Sequence, residues 1–284
     1  MRLSRPLTIG VAAGAASVLA VGILMNNQED GSPAQQSEQA GSPSPSLSPA
    51  AQPQPETPNN SPSFEAAQSD SLEFNAVLPD EPQLAAVTAQ LQTETQTYYD
   101  RVQREADQAA QSSSEPMWEF NVVWRPVASA GGYVSLIGRS SEYRGGAHPI
   151  ELIDTKLMRS ENGDEVPIGD LFAADWPTPA VTIAMCEALK TAKTEKIGAP
   201  TVFDEPIVCA GPNSNLSARE AKFALAASTQ PDRFGGLHVF YQPYLVGAYS
   251  EGSYELTIPL EVFREDLAKE HQPLFSGSPV PLAP

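Results

Sequence analysis

The stretch at residues 26–62 limits which part of this 284-residue chain can fold. It contains eight prolines in 37 residues and no aromatic residue, isoleucine or valine. A segment of this composition cannot bury enough apolar surface to offset the entropy lost on ordering its backbone. We therefore expect a disordered Pro/Ser/Gln-rich linker over 26–70. The folded domain is expected within 71–276, with a flexible tail at 277–284.

An uncharged apolar run at 6–25 precedes this linker, and Arg2 and Arg5 lie on its N-terminal side. A helix needs about 20 apolar residues to cross a bilayer, and its positive flank favours the cytoplasmic side. Residues 1–25 are therefore predicted to anchor the chain in the cytoplasmic membrane, with the rest exported to the periplasmic or extracytoplasmic side. A cleaved signal segment, which would leave a soluble periplasmic protein, is the alternative.

The domain is strongly acidic, because the chain has 35 Asp and Glu against 17 Lys and Arg, and only four of the acids lie in the Pro-rich stretch 26–62. Binding of nucleic acid requires clustered basic residues, so this class of partner is excluded from our expectations. The acidity either keeps the domain soluble or steers it towards a cationic partner.

Apolar periodicity and turn residues predict the elements of the domain. A strand at 72–79 precedes a long helix that begins near Asp80, and further helices are predicted at 178–195 and 260–271. Hairpin signals occur at Gly131-Gly132 and at the turn 161–164. Strands are also predicted at 221–228, 237–244 and 253–260. The fold class is therefore α+β, with antiparallel sheet or sheets, a long N-terminal helix, a middle helix and a C-terminal helix. A division into two lobes, 71–115 and 116–276, is left open.

The two cysteines of the chain, Cys186 and Cys209, both lie in the part expected to be exported. A single pair of cysteines in an oxidising compartment predicts one disulfide. No Cys-x-x-Cys motif supports a catalytic thiol.

Three short motifs carry a resemblance to a known family. YRGGAHP at 143–149 follows a predicted strand, Asp-Leu-Phe at 170–172 follows a turn, and Tyr-Gln-Pro-Tyr at 241–244 is followed by Gly252 before the last strand. Together they resemble the domain of unknown function shared by the RsiV-type lysozyme-sensing anti-sigma factors and the N-terminal regions of the PdaC-type peptidoglycan deacetylases. The resemblance covers about residues 72–270.

The resemblance implies an exported α+β domain that acts as a binding module in the cell envelope, with the cationic protein lysozyme as the implied ligand. The effector parts of those relatives are not expected here. Only about six residues precede the predicted membrane span, and the three histidines lack the close spacing of a metal-dependent deacetylase site. We therefore expect binding without enzymatic activity.

The motif Gly-Gly-x-His occurs twice, ending at His148 and at His238. The two histidines, with Asp154 or Glu142, suggest a metal site, but no third ligand has a typical spacing. Hydrolysis with His148 as base lacks a Gly-x-Ser-x-Gly motif. We therefore predict no metal, no cofactor and no catalytic residue. Each glycine pair is then expected to provide a positive-φ turn or a close backbone approach.

The ligand-binding residues are predicted from the two motifs that carry the resemblance. They are Tyr143, Arg144, Gly145, Gly146, His148, Tyr241 and Tyr244. Aromatic side chains at 118, 124, 241, 244, 249 and 254 have two interpretations: a platform for sugar rings, or half-buried partners on neighbouring strands.

The function predicted from the sequence is a non-catalytic cell-envelope binding or sensing module. Its expected partner is a cationic envelope protein such as lysozyme, or peptidoglycan fragments. A peptidoglycan-related hydrolase or accessory enzyme is the first alternative, and a passive structural envelope protein is the second.

Overall fold

The structure, a computed structural model, describes residues 63–64, 69–112, 117–198, 207 and 220–282. All of them belong to the second of the two units into which the chain divides, Glu56–Pro284. The strands are β1 Ser63–Phe64, β2 Leu72–Val77, β3 Trp118–Ala130, β4 Tyr133–Tyr143, β5 Ile150–Arg159, β6 Lys222–Ala227, β7 Phe234–Tyr241 and β8 Tyr254–Pro259. The α-helices of the described part are α1 Ala85–Ser112 and α2 Pro179–Ile197.

The first sheet, sheet 1, has the strand order β1-β2-β3-β4-β5. Its neighbouring strands are antiparallel except for β2 and β3, which run parallel. A parallel pair needs a long crossover connection, and α1 lies within the one that joins β2 to β3. Strand β2, which precedes α1, and the strands that begin at Trp118 therefore belong to one sheet.

Helix α1 covers one face of sheet 1. Alternate residues of a strand point to the same face, and Leu72 and Phe74 of β2 pack with Val102 of the helix. Further along, Val87 and Leu91 of α1 pack against Leu136 of β4. These contacts bury the apolar stripe that the helical spacing of the sequence indicates.

The second sheet, sheet 2, has the order β6-β7-β8 with antiparallel neighbours. Its central strand β7 is buried along its whole length. Leu237 of β7 shares a core with Met185 and Leu189 of α2. On the opposite face of β7, Phe240 packs with Ile137 and Ile153 of sheet 1. Sheet 2 therefore lies between sheet 1 and α2.

The predicted α+β class with antiparallel sheets is confirmed, but the predicted C-terminal helix at 260–271 is wrong. Short 3-10 turns replace it at Leu260–Val262, Arg264–Asp266 and Gln272–Leu274. The reason lies in the backbone, because the amide of Ala173 donates to Asp266 O at 2.8 Å and the amide of Ala268 donates to Leu171 O at 3.0 Å. These long-range hydrogen bonds take the place of helical ones.

Several predictions concern residues that the structure does not describe. Residues 6–25 of the predicted anchor and Cys209 lie outside the described part, so the anchor and the disulfide stay predictions. Cys186 is fully buried on α2. Within the described residues, neither helix combines the length and apolar character needed to span a bilayer. The expected tail begins with residues bonded to sheet 2, since the amide of Val280 donates to Ala227 O at 2.8 Å.

The glycine pair at 235–236 lies inside β7 rather than in a turn. A Cβ atom on Gly236 would be inside contact distance of the Ile258 carbonyl oxygen on β8. Because a backbone atom in a sheet cannot move aside freely, we expect Gly236→Ala to lower the free energy of unfolding by about 2–3 kcal/mol. Chemical denaturation measures the loss.

Gly198 provides the matched control for this substitution. It has φ of +78° at the end of α2, and a Cβ atom there would meet nothing within 4 Å. Gly198→Ala is expected to cost about 1–3 kcal/mol from backbone strain alone, whereas Gly236 has no positive φ and would lose stability through the close contact only. A loss of less than about 1 kcal/mol in Gly236→Ala would contradict close packing at Gly236.

Candidate functional site

Two loops meet at one end of sheet 1. The first loop, 144–149, joins β4 to β5, and the second loop, 242–253, joins β7 to β8. The hydroxyl of Tyr249 in the second loop donates to the carbonyl oxygen of Pro149 in the first, at 2.7 Å. The rings of His148 and Tyr249 stack with their centroids 4.0 Å apart. The folding of both sheets thus brings together residues about one hundred positions apart.

Exposed apolar side chains gather at this junction. Tyr244 is 63% exposed, and its ring lies 5.3 Å from that of Tyr249. Ile150 is 49% exposed and Leu245 is 39% exposed, so the junction holds three of the six large apolar side chains exposed within the described residues. We call this set, His148, Ile150, Tyr244, Leu245 and Tyr249, the aromatic surface. An exposed cluster of large apolar side chains is typical of an interaction site.

The first loop takes its shape from its two glycines. Gly145 and Gly146 have φ of +90° and +110°, which residues with a side chain rarely adopt. The hydroxyl of Tyr143 donates to Gly146 O at 3.1 Å and closes the turn. Next to it, Nδ1 of His148 lies 2.9 Å from Pro149 O. The loop therefore presents an exposed imidazole on a backbone that only this glycine pair readily permits.

Arg144 ties the first loop to the rest of the domain. Its guanidinium lies 3.1 Å from Glu105 on α1 and 3.5 Å from Glu142 on β4. The same group lies over the rings of Trp118 and Phe120, at 5.1 and 5.0 Å from their centroids. A planar cation that stacks and forms ion pairs at once is a specific use of arginine. We infer that Arg144 positions the loop.

Glu142, which pairs with Arg144, also has a partner on α1. The hydroxyl of Tyr98 donates to its carboxylate at 2.6 Å. Burial, followed by the hydrogen bond and negative charge of Glu142, raises the pKa of Tyr98 above its ordinary value. The phenol therefore stays protonated and remains a donor at neutral pH. This bond holds the end of β4, where the first loop begins, against α1.

The second loop is fixed by a buried carboxylate. The side chains of Glu251 and Lys193 of α2 are 8% and 7% exposed, and their charged atoms lie 3.6 Å apart. Glu251 also accepts hydrogen bonds from the amide of Ala248, at 3.1 Å, and from the hydroxyl of Tyr254. Lys193 donates to Val246 O at 3.1 Å. These bonds hold the loop that carries Tyr244 and Tyr249 against α2.

Backbone strain accompanies the exposure of Tyr244. Its φ of +71° is uncommon for a residue with a side chain. A residue held in this region costs about 1–3 kcal/mol, and such residues are often found at functional sites. The loop therefore holds a large apolar ring in solvent at a cost in stability.

The structure places Tyr241 apart from the other predicted site residues. It is 1% exposed in the core against α2, and burial, followed by the charge of Glu220, raises its pKa. Within the described residues its hydroxyl has no hydrogen-bond partner. The other predicted residues lie in or next to the first loop, except Tyr244, which reaches His148 through Tyr249.

Three residues of the aromatic surface were not predicted as site residues. Tyr249 appeared in the sequence analysis as an aromatic side chain only, and Ile150 and Leu245 carried no signal. The segment PYLVGAY at 243–249, with four large apolar side chains between two strands, could have indicated an exposed apolar loop.

The two Gly-Gly-x-His motifs serve different purposes. His238 is buried in β7, where Nδ1 lies 3.3 Å from the Thr257 hydroxyl, whereas His148 is exposed and stacked on Tyr249. Within the described residues, no group of three or more His, Cys, Asp or Glu side chains is arranged to hold a metal ion. His148 instead lies against the ring of Tyr249 on the exposed side of the two loops.

Comparisons with known proteins give only distant likenesses. No protein-family model matches the chain, and no curated protein matches it. A solved DUF3298 family protein from Bacteroides fragilis is 16% identical, with 70% of this chain and 85% of that chain covered and a TM-score of 0.42. One from Pseudomonas aeruginosa is 18% identical, with 77% and 94% covered and a TM-score of 0.48. At these TM-scores neither likeness adds to the account of the site.

Proposed function

We propose that this chain is a non-catalytic binding module of the cell envelope, and that its aromatic surface receives a cell-wall-associated ligand. The observation that carries the proposal is the cluster of exposed rings and aliphatic side chains on two loops. Tyrosine is enriched among the residues that dominate binding energy, because its large ring combines apolar area with a polar tip.

The fixation of both loops supports this role. Arg144 ties the first loop to α1 and β3, and the pair of Glu251 and Lys193 ties the second loop to α2. A surface that is already ordered loses little entropy when it binds, so more of the contact energy appears as affinity.

The proposed ligand is a cationic envelope protein, with lysozyme as the first candidate. The net charge of −18 favours association with a cation. The resemblance of the YRGGAHP and Tyr-Gln-Pro-Tyr motifs to lysozyme-sensing proteins points to the same partner. In this proposal residues 6–25 anchor the domain outside the cytoplasm, the Pro-rich linker spaces it from the membrane, and Cys186 pairs with Cys209.

Calorimetry of the full chain in detergent micelles, with a c-type lysozyme at physiological salt, tests the proposal. We expect saturable 1:1 binding, and we expect Tyr244→Ala to weaken it at least tenfold, since a buried ring at an interface is worth more than about 1.4 kcal/mol. Ile183→Ala is the matched control, because Ile183 is 56% exposed on α2 and lies ten residues before Lys193, which contacts the second loop.

Two results would count against this function. The absence of saturable heat with lysozyme would remove the named partner. Equal affinities of the Tyr244→Ala and Ile183→Ala variants would show that the ligand binds elsewhere. Loss of turnover of peptidoglycan in a His148→Ala variant, with the fold intact, would instead favour the enzymatic alternative.

A further inference from the structure

A carboxylate stands beside the aromatic surface. Glu151 follows Ile150 on β5 and is exposed. The hydroxyl of Tyr249 donates to the carbonyl oxygen of Pro149, two residues before Glu151, so this phenol lies at the start of the strand that carries the carboxylate. In agreement with this position, burial and then the negative charge of Glu151 raise the pKa of Tyr249. The side of the surface formed by Tyr249 therefore combines an aromatic ring with an acid.

The cations of β4, β6 and the first loop are held by other acids. Arg139 on β4 lies 2.9 Å from Glu255, and Lys222 on β6 lies 2.9 Å from Asp154. Arg144 is held by Glu105 and Glu142, as described above. Within the described residues, no cation lies within ion-pair distance of Glu151. The charge of Glu151 is thus available to a cation brought by a ligand.

We propose that the ligand of the aromatic surface inserts an arginine side chain that pairs with Glu151 and lies against the rings of Tyr249 and Tyr244. The proposal rests on the function proposed above and names the chemistry of the partner at that site. A guanidinium forms two parallel hydrogen bonds to a carboxylate and stacks on an aromatic face, which an ammonium group does less well. The net charge of the chain favours the same kind of partner.

The domain itself contains one arginine that pairs with carboxylates and lies over aromatic rings at the same time. The guanidinium of Arg144 pairs with two carboxylates while it lies over the rings of Trp118 and Phe120. The site at Glu151 offers the same two components: a carboxylate, and aromatic rings that are exposed at Tyr244 and half-buried at Tyr249. An arginine from a partner would complete it.

The test measures binding of the full chain to a c-type lysozyme by calorimetry, with three probes. They are unmodified lysozyme, lysozyme with its arginines blocked by phenylglyoxal, and lysozyme with its lysines dimethylated, which retains their charge. We expect Glu151→Gln to weaken binding of unmodified lysozyme at least tenfold and to reduce its salt dependence. Arginine-blocked lysozyme should bind the native chain weakly, and it should bind the Glu151→Gln variant with the same low affinity. Dimethylation of the lysines should change the affinity of lysozyme for the native chain little.

Glu161→Gln is the matched control, because Glu161 is an exposed acid in the turn after β5. If Tyr244→Ala weakens binding but Glu151→Gln binds as the native chain does, the arginine inference is overturned and the binding function stands. If the native chain does not bind lysozyme, the proposed binding function and the arginine inference are both wrong. If it binds uncharged peptidoglycan fragments at the aromatic surface with no effect of Glu151→Gln, the ligand is a glycan and the inference is wrong.

Discussion

The Glu251→Ala variant is expected to lose about 3–5 kcal/mol of its free energy of unfolding. Removing one partner of a buried ion pair is costly because the other charge stays buried without that partner, and here the charge that loses its carboxylate is that of Lys193. Its side chain is only 7% exposed, so water cannot readily replace the carboxylate. The amide of Ala248 and the hydroxyl of Tyr254 would lose their acceptor as well.

Chemical denaturation of Glu251→Ala and of the control Glu187→Ala measures this effect. Glu187 pairs with Lys190 at 3.0 Å on the same helix that carries Lys193, but its side chain is 63% exposed. An exposed pair contributes less than about 1 kcal/mol, so the control should lose little. A Lys193→Met, Glu251→Leu double variant should recover part of the loss, because it removes both charges.

A loss of less than about 1 kcal/mol in Glu251→Ala would contradict the buried pair. The same variant also links stability to function, since Glu251 fixes the loop that carries Tyr244 and Tyr249. We expect it to bind lysozyme more weakly even under conditions where it is fully folded. The reason is that an unfixed loop must be ordered on binding.

Local patterns were sufficient to predict most elements of the domain. The predicted helix at 178–195 closely matches α2 at Pro179–Ile197, and the strand predicted at 253–260 closely matches β8 at Tyr254–Pro259. The C-terminal prediction failed although Leu260, Phe263 and Leu267 have helical spacing and are all buried. Helical spacing alone did not reveal that the backbone there bonds to residues 171–173 instead.

The site was predicted only in part, because its outline depends on strand register. Tyr241 and Tyr244 belong to one motif, yet Tyr241 pairs with Tyr254 at the end of β7 and is buried, whereas Tyr244 lies beyond the strand and is exposed. Sequence does not show where β7 ends. The contact of His148 with Tyr249 joins residues far apart in the chain, and no local pattern contains it.

His238 is expected to make the domain less stable as the pH falls from about 6.5 to about 4. It follows the alternation of β7 and shares the face of Phe240, which packs against sheet 1. Burial lowers its pKa to about 4, and the charge of Glu255 opposes this only in part. Above pH 6.5 the imidazole is neutral in the folded domain and in the unfolded chain, so it contributes no pH dependence to the free energy of unfolding.

Between about pH 6.5 and pH 4 the unfolded chain binds a proton at His238 that the folded domain does not bind, so the stability of the domain decreases as the pH falls. The pKa difference corresponds to a total loss of about 3 kcal/mol, which is complete below pH 4. Because carboxylates also titrate in this range, the informative quantity is the difference between the native chain and His238→Gln, whose residue 238 is neutral throughout. Denaturation at several pH values measures it, and NMR titration of the imidazole gives the pKa directly. A His238 resonance that titrates near pH 6.5, or equal pH slopes in the two proteins, would show that sheets 1 and 2 admit the charged ring, contrary to its tight burial between them.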